Sequence, residues 1–206
     1  MEKAGLNRRE REKLRHRQEI MNISLGLFTS KGFHNVTMSK IAEESEFAIG
    51  TLYNFFKSKD DLYEAIIIEL IEKHRKMFKE NLDLPLYPLE KIKKIIHSDL
   101  KFISENADII RAFQAELLSA TTLKHAEMNS KIEAYHNEII SYFADIIREG
   151  IESNFFRSAT PLIMAHGLKG MIEAYCTIAT DKDSIISRKK YAEEIIEMFF
   201  AGVLKR

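Results

Sequence analysis

Cysteine, tryptophan and long apolar runs are scarce or missing in this chain of 206 residues. Cys176 is the only thiol, which excludes a disulfide framework and a cysteine metal site and is compatible with a reducing compartment. The longest apolar stretches, such as residues 65–70, are far shorter than the roughly 20 residues of a membrane-spanning helix. The charged N-terminus carries no apolar signal core. We therefore expect a cytoplasmic protein.

Catalytic and metal-binding motifs are missing as well. The sequence has no G-x-S-x-G, no phosphate-binding P-loop and no H-E-x-x-H. Cys176 lies in an apolar helical stretch, where a packed thiol is more common than a nucleophile. Four histidines of the C-terminal part do not have the spacing of a metal site: His97, His125, His136 and His166. We therefore expect no metal, no cofactor and no enzymatic activity.

Strand signals are few, whereas helical periodicity runs through almost the whole chain. No Asn-Gly or Asp-Gly pair marks a hairpin, and apolar residues recur at spacings of three and four. This pattern predicts an all-α fold. Pro85 and Pro88 mark the clearest boundary. Beyond it the periodicity predicts helices near 89–104, 107–119, 127–153, 161–180 and 187–205.

Capping residues divide the part before this boundary. Gly32 ends a first helix by supplying a left-handed backbone. Thr37 caps a very short second helix, MSKIAEES, whose apolar side faces inward. After a break at residues 46–48 and the segment IGTLYNFF, Ser58 and Asp61 form a capping box. They open a long helix at about 59–80.

Two short helices separated by a tight break are what a helix-turn-helix DNA-binding motif requires. The first helix holds the second, IGTLYNFF, so that the N-terminal end of the second enters the major groove, while Leu52, Phe55 and Phe56 fix it to the core. Toward the base edges we expect Ala48, Ile49, Gly50, Thr51 and Asn54. Toward the phosphates we expect Thr37, Tyr53 and Lys59.

The start of the chain is strongly basic. Residues 3–17 hold seven lysines and arginines, Arg8, Arg9 and Arg15 among them, against two glutamates. A basic arm over residues 1–13 would neutralise phosphates, as polybasic tails do. A solvated helix start is the alternative interpretation of the same residues.

The stretch TMSKIAEESEFAIGTLYNFFKSKDDLY resembles the helix-turn-helix of the TetR family of transcriptional regulators. The resemblance extends back through RQEIMNISLGLFTSKGF and covers about residues 14–74, with the motif at about 37–56. It implies DNA contacts at the residues named above and at Lys40 and Lys57. Three positions depart from the family pattern: Glu46 replaces a turn glycine, Ala48 replaces a capping serine or threonine, and Ile49 replaces a basic residue.

For residues 75–206 the resemblance implies a homodimer that encloses an effector pocket. We place the dimer interface at about 161–205, because the last two helices are apolar around much of their circumference and contain Gly167 and Gly170. Burial inside one larger domain would also account for such faces. Pocket candidates are the aromatic and methionine residues of this half, which as core residues would have the same spacing. They are Phe102, Phe113, Tyr135, Tyr142, Phe143, Met164, Met171 and Tyr175.

The leading hypothesis is a dimeric repressor that a small, apolar effector releases from a palindromic operator in double-stranded DNA. A second hypothesis is a helical ligand-binding or enzymatic protein that has lost DNA binding, which Glu46, Ala48 and Ile49 favour. A third is a regulator controlled by a partner protein.

Overall fold

A computed structural model describes residues 7–119, 126–180 and 187–204, and within these ranges the fold is all-α, as predicted. Nine α-helices follow one another in the described chain, and the only β pairing there is an isolated bridge between Phe156 and Leu204. The helices are α1 Arg8–Lys31, α2 Met38–Ser45, α3 Ile49–Phe55, α4 Lys59–Leu82, α5 Pro88–Glu105, α6 Ala107–Ser119, α7 Ala126–Glu152, α8 Pro161–Thr180 and α9 Arg188–Val203; a short 3₁₀ turn at Phe33–Asn35 follows α1. No described helix is both long and apolar enough to cross a membrane.

Local capping chemistry sets the helix ends. Asn7 and Glu10 form a capping box at the start of α1, so residues 8–13 of the expected basic arm are helical; residues 1–6 lie outside the described ranges. Gly32 ends α1 with a positive φ of 80°. The capping box expected at α4 differs in one bond. Ser58 Oγ accepts from the Asp61 N–H at 3.0 Å, but the Asp61 carboxylate accepts from the Lys57 N–H at 2.7 Å, one residue earlier than expected.

The described residues divide into two compact units. The first comprises the chain up to Leu70 together with 111–119. Its core includes residues from each of the first four helices and the 3₁₀ turn, all buried: Ile20, Phe28, Phe33, Val36, Ile41, Leu52, Phe56, Leu62 and Tyr63. The short helices α2 and α3 are therefore held by tertiary packing, since helices of their length are unstable alone.

The second unit comprises residues 71–110 and the described residues from 126 onward. Its core is formed by the inner faces of five helices and includes Phe78, Ile92, Ile95, Ile139, Phe143, Leu168, Ile172, Ile195 and Phe199. The turn after α7 is tightly packed, because a Cβ added at Gly150 would lie 2.1 Å from the Phe156 ring. Arg157 then donates its backbone N–H to Val203 O at 2.8 Å, which ties this turn to the end of α9.

Candidate nucleic-acid interface

Helix α3 has one buried side and one exposed side. Leu52 and, just after the helix, Phe56 are buried in the core of the first unit. On the opposite side Ile49 and Tyr53 are 42% and 51% exposed, large fractions for an apolar and an aromatic side chain. Gly50 and Asn54 are exposed as well, whereas Thr51 and Phe55 are half-buried. The side chains predicted to face DNA and those predicted to face the core thus separate, with Thr51 at the margin.

The turn between α2 and α3 uses a glutamate in a left-handed conformation. Glu46 has φ 57° and ψ 21°. The N–H of the next residue, Phe47, donates to Ala42 O at 3.2 Å, which is the long bond that closes a Schellman-type helix end. A non-glycine residue in this conformation costs about 1 kcal/mol. The chain therefore keeps the turn that a glycine would make, at a cost in stability.

The start of α3 has no side-chain cap. Ala48 occupies the N-cap position and offers no oxygen to the first N–H groups of the helix, while its carbonyl accepts from the Thr51 N–H at 2.8 Å. At the start of α2, by contrast, Thr37 Oγ1 accepts from the Lys40 N–H at 3.2 Å, as predicted. The missing cap at Ala48 leaves α3 less stable by roughly 1 kcal/mol than a serine would.

The side chains predicted to reach phosphates have different surroundings. Tyr53 and Lys57 are exposed on the surface of the first unit. Lys40 forms ion pairs with Glu43 and Glu44 at 3.0 and 3.1 Å, and its hydrogen bonds to these carboxylates raise the pKa of the lysine. A phosphate at Lys40 would therefore compete with two carboxylates.

Lys59 does not extend into solvent. Its Nζ donates to Phe33 O at 2.8 Å and to Val36 O at 2.9 Å, and it lies 4.2 Å from the centre of the Phe33 ring. The predicted role of Lys59 at a phosphate thus concerns its backbone at the start of α4, because its ammonium group is directed at protein carbonyls. These contacts join residues far apart in the chain, and no local sequence signal could reveal them.

Two residues of α1 contact the segments on either side of α3. The His16 ring lies 5.1 Å from the Phe47 ring, in the turn before α3, and the Arg17 guanidinium lies 5.0 Å above the Phe56 ring, just after it. His16 was not predicted as functional, and Arg17 was predicted only as one of the charges of the basic stretch at residues 3–17. Arg8, Arg9 and Arg15 are exposed on the N-terminal half of the same helix. The basic residues of α1 are therefore carried by a helix that packs against the flanks of α3.

Comparison with known proteins identifies this arrangement. The model of the family described as "Bacterial regulatory proteins, tetR family" matches residues 20–66. YhgD of Bacillus subtilis, named as an uncharacterized HTH-type transcriptional regulator, is 27% identical over 146 residues, or 71% of this chain and 74% of YhgD. KstR2 of Mycolicibacterium smegmatis, an HTH-type transcriptional repressor, is 23% identical over 141 residues, or 68% of this chain and 67% of KstR2.

The fold agrees beyond the matched segment. The crystal structure of AibR in complex with isovaleryl coenzyme A and operator DNA superposes with a TM-score of 0.71 at 16% identity, covering 91% of this chain and 99% of AibR. The segment that contains the helix-turn-helix, residues 20–66, thus matches the TetR family. These relatives are HTH-type transcriptional regulators, and in this chain α2 and α3 form the helix-turn-helix.

In the second unit, most of the residues predicted to line the effector pocket are buried or half-buried. Tyr135, Phe143 and Tyr175 are buried, and Phe102, Tyr142, Met164 and Met171 are half-buried. Rings of this group cluster around Phe78, which lies 5.9 Å from Tyr142 and 5.3 Å from Phe143. Phe113 belongs to the other compact unit and is not grouped with them. Cys176 is half-buried, and burial raises the pKa of its thiol.

A buried polar group lies among these rings, and sequence reasoning missed it. His74 Nδ1 contacts the Tyr135 hydroxyl, and His74 Nε2 lies 3.2 Å from Asp99 Oδ1. The Asp99 side chain is only 2% exposed, yet no donor from the described residues is aligned with its Oδ1 at hydrogen-bond geometry. A signal was present in the sequence, because Asp99 interrupts the apolar stripe of α5 between Ile96 and Leu100. No group of three or more potential metal ligands occurs in the described ranges.

A second polar group in this unit joins α4 to α7. Glu138 accepts from Arg75 Nε at 2.7 Å and from the Tyr142 hydroxyl at 2.9 Å, and Lys79 Nζ lies 3.4 Å away. Burial alone would raise the pKa of Glu138, but the hydrogen bonds from Arg75 and Tyr142 outweigh it and the pKa is lowered. Glu138 thus holds three side chains of α4 and α7 together as a carboxylate.

Proposed function

We propose that this regulator is a dimeric repressor that leaves its operator when a small, largely apolar effector binds. The observation that carries the DNA-binding part is the two-sided surface of α3, with Gly50, Tyr53 and Asn54 exposed above a buried Leu52. Bases would be contacted through α3 and phosphates through Thr37, Lys57 and the basic half of α1. Binding to chromosomal DNA would place the protein in the cytoplasm. Repression is supported by the sequence similarity to KstR2, which is a transcriptional repressor.

Exposed apolar side chains support a dimer through residues 161–205. Leu162 and Ile163 on α8 and Met198 on α9 are 52%, 70% and 63% exposed, although α9 otherwise packs its apolar stripe into the core. Gly167 and Gly170 on α8 have open space around their missing Cβ positions, which permits a close helix approach. In a dimer built this way, two α3 helices would enter successive major grooves about 34–36 Å, or a multiple of that, apart.

The aromatic cluster around Phe78 and the buried polar group at His74 and Asp99 support an effector site in the second unit. Effectors with an apolar body and few polar groups fit such surroundings. AibR, which shares the fold, was crystallised with isovaleryl coenzyme A and operator DNA. The short acyl group of such a thioester would suit these apolar surroundings, but its coenzyme A part is polar and charged. Short acyl-coenzyme A thioesters should therefore be tested beside small apolar ligands. Helix α4 contains both Lys59 and His74, so a shift of α4 on effector binding would reach the helix-turn-helix.

Selection of duplexes from random DNA by the purified protein, followed by a reporter assay on the selected sequence, tests the proposal. We expect a palindromic sequence, repression of the reporter, and release of the duplex by the effector. Mass spectrometry of small molecules that copurify with the protein would identify the effector. Absence of any selected sequence at moderate salt would contradict the DNA-binding part.

Glu46 and Ala48 favour one alternative, a helical ligand-binding or enzymatic protein that no longer binds DNA, because both weaken the motif. A Tyr53→Phe, Lys57→Ala variant separates the two functions. It should weaken binding to all duplexes if the protein is a repressor and leave every activity unchanged otherwise. Lys59 is unsuitable for this test, because its side chain supports the fold. If a partner protein controls the regulator instead, no small molecule will release the duplex.

A further inference from the structure

A lysine occupies the first position of α4, where helix electrostatics favours the opposite charge. The N-terminus of a helix carries a partial positive charge, which Asp60 and Asp61 complement and Lys59 does not. Its ammonium group instead lies against the carbonyl oxygens of Phe33 and Val36, at 2.8 and 2.9 Å. These carbonyls belong to the 3₁₀ turn and the residue that ends it, where a cation is favourable.

The residues that the Lys59 side chain contacts lie at the other end of the helix-turn-helix segment. Val36 directly precedes Thr37, the N-cap of α2, and Lys59 begins α4 shortly after the end of α3. The bond between Lys59 and Val36 spans 23 residues. One side chain thus joins the two ends of the helix-turn-helix segment, residues 37–58, and closes it into a loop with less conformational freedom.

The Phe33 ring gives this junction a rigid base. Phe33 is buried, and its ring lies 5.4 Å from the Phe28 ring of α1 and 4.8 Å from the Tyr63 ring of α4. The Lys59 ammonium lies 4.2 Å from the Phe33 ring centre, within the range of a cation–π interaction. The cation is therefore held by two carbonyls and one ring, all fixed in the core of the first unit.

We propose that the Lys59 side chain is a positioning residue for DNA binding, which sets the placement of α3 by fastening both ends of the helix-turn-helix to each other. This inference rests on the proposed use of α3 in sequence recognition and adds the residue that holds it in place. The charge of Lys59 serves the protein's own carbonyls, whereas the exposed Lys57, two residues earlier, is available to a phosphate.

Lys59→Met and Lys57→Met in the full-length protein test the assignment, because each removes one positive charge from the same short segment. For Lys59→Met we expect faster amide hydrogen exchange in residues 36–41 and 49–56 and an unfolding midpoint of the first unit lower by roughly 5 °C. Its affinity for a wild-type-selected duplex should fall about tenfold or more, with a smaller loss for random DNA. For Lys57→Met we expect the same amide hydrogen exchange and the same unfolding midpoint as in the wild-type protein.

The salt dependence of binding separates positioning from a phosphate contact. Loss of a phosphate contact lowers the slope of log K against log salt by about 1 for each subunit, which we expect for Lys57→Met and not for Lys59→Met. The proposal would be overturned if Lys59→Met kept the amide hydrogen exchange and the unfolding midpoint of the wild type and lowered only the slope of log K against log salt. If the wild-type protein selects no duplex, the proposed function fails instead, and exchange and midpoint still decide whether Lys59 fastens the motif.

Discussion

Gly50 lies on the exposed side of α3, and beyond its own helix backbone a Cβ added there would meet no atom of the described residues within 4 Å. A glycine inside a helix costs stability of about 1 kcal/mol relative to alanine. Packing within the described residues does not require a glycine at this position. A close approach of the backbone to another molecule is a physical reason for a glycine at such a place, and DNA is that molecule under the proposed function.

Gly50→Ala should therefore separate stability from DNA binding. We expect the free energy of unfolding to rise by about 0.5–1 kcal/mol, because nothing obstructs the added methyl group. Affinity for the selected duplex should fall about tenfold, measured by fluorescence anisotropy, because the methyl group would stand between α3 and the DNA.

Gly26→Ala is the matched control for this change, since Gly26 is also exposed within a helix and has open space around it. It should bring the same gain in stability with unchanged DNA binding. Wild-type affinity in Gly50→Ala would show that α3 does not approach DNA through this position.

At the scale of the helix, α2 and α3 differ in how their first turns are stabilised. Thr37 provides a side-chain acceptor for α2, and Ala48 provides none for α3. The turn before α3 also contains Glu46 in a left-handed conformation. Of these two helices, the one proposed to read bases therefore has the start that local chemistry stabilises less, and packing of Leu52 and Phe56 holds it.

Ala48→Ser should supply the missing cap. Its hydroxyl oxygen would accept from the N–H groups at the start of α3 and raise the free energy of unfolding by about 1 kcal/mol, measured by urea denaturation. Ala48→Val, which adds bulk without an acceptor, should bring no such gain. Equal stabilities of the two variants would mean that packing alone determines where α3 begins.

The contacts of Glu138 on α7 with basic residues of α4 make the stability of the second unit depend on pH in the acid range. Because the pKa of Glu138 in the folded state lies below its ordinary value of 4.5, the carboxylate adds stability above that value. This contribution is lost as the pH falls from about 4.5 through the lower, folded-state pKa. Protonation of Glu138 would weaken its ion pairs with Arg75 and Lys79 on α4.

Glu138→Gln should accordingly lower the stability of the second unit at pH 7 by about 1 kcal/mol and flatten its decline below pH 4.5. Urea unfolding between pH 3 and pH 7 measures both effects. Glu133→Gln, an exposed glutamate on the same helix, is the control and should leave the profile unchanged. If the stability of Glu138→Gln fell below pH 4.5 as steeply as that of the wild type, Glu138 would not be the cause of the decline.

At the scale of the molecule, one chain leaves apolar surface on α8 and α9 exposed. Ile163 is 70% and Met198 63% exposed, on helices whose other sides form the core of the second unit. A two-fold dimer would cover such a surface on both subunits with the same residues.

Ile163→Glu should therefore yield a monomer in sedimentation experiments, since burying two new carboxylates at a two-fold interface is unfavourable. Circular dichroism should be unchanged, and affinity for the full palindrome should fall at least tenfold. Tyr87→Glu, which changes a residue 74% exposed in the same unit, should stay dimeric. A dimer in Ile163→Glu would place the interface elsewhere.

Most of the fold was predictable from the sequence because its signals are local. Helix periodicity, Gly32, Thr37 and Ser58 determine where helices begin and end, and the predicted bounds of α6 and α8 agree with those of the structure. The division of α3 into a buried and an exposed side was equally predictable, because a short amphipathic helix places its own apolar residues on one side. The sequence by itself thus determined the helices and the helix-turn-helix.

Only the tertiary structure decided which polar side chains face inward. Lys59 resembles a surface lysine in the sequence, but its partners lie 23 and 26 residues away. His74, Asp99 and Tyr135 come from three different helices, and His16 and Arg17 meet rings on either side of α3. Contacts of this kind depend on the packing of separate helices, which periodicity and capping along one segment do not specify.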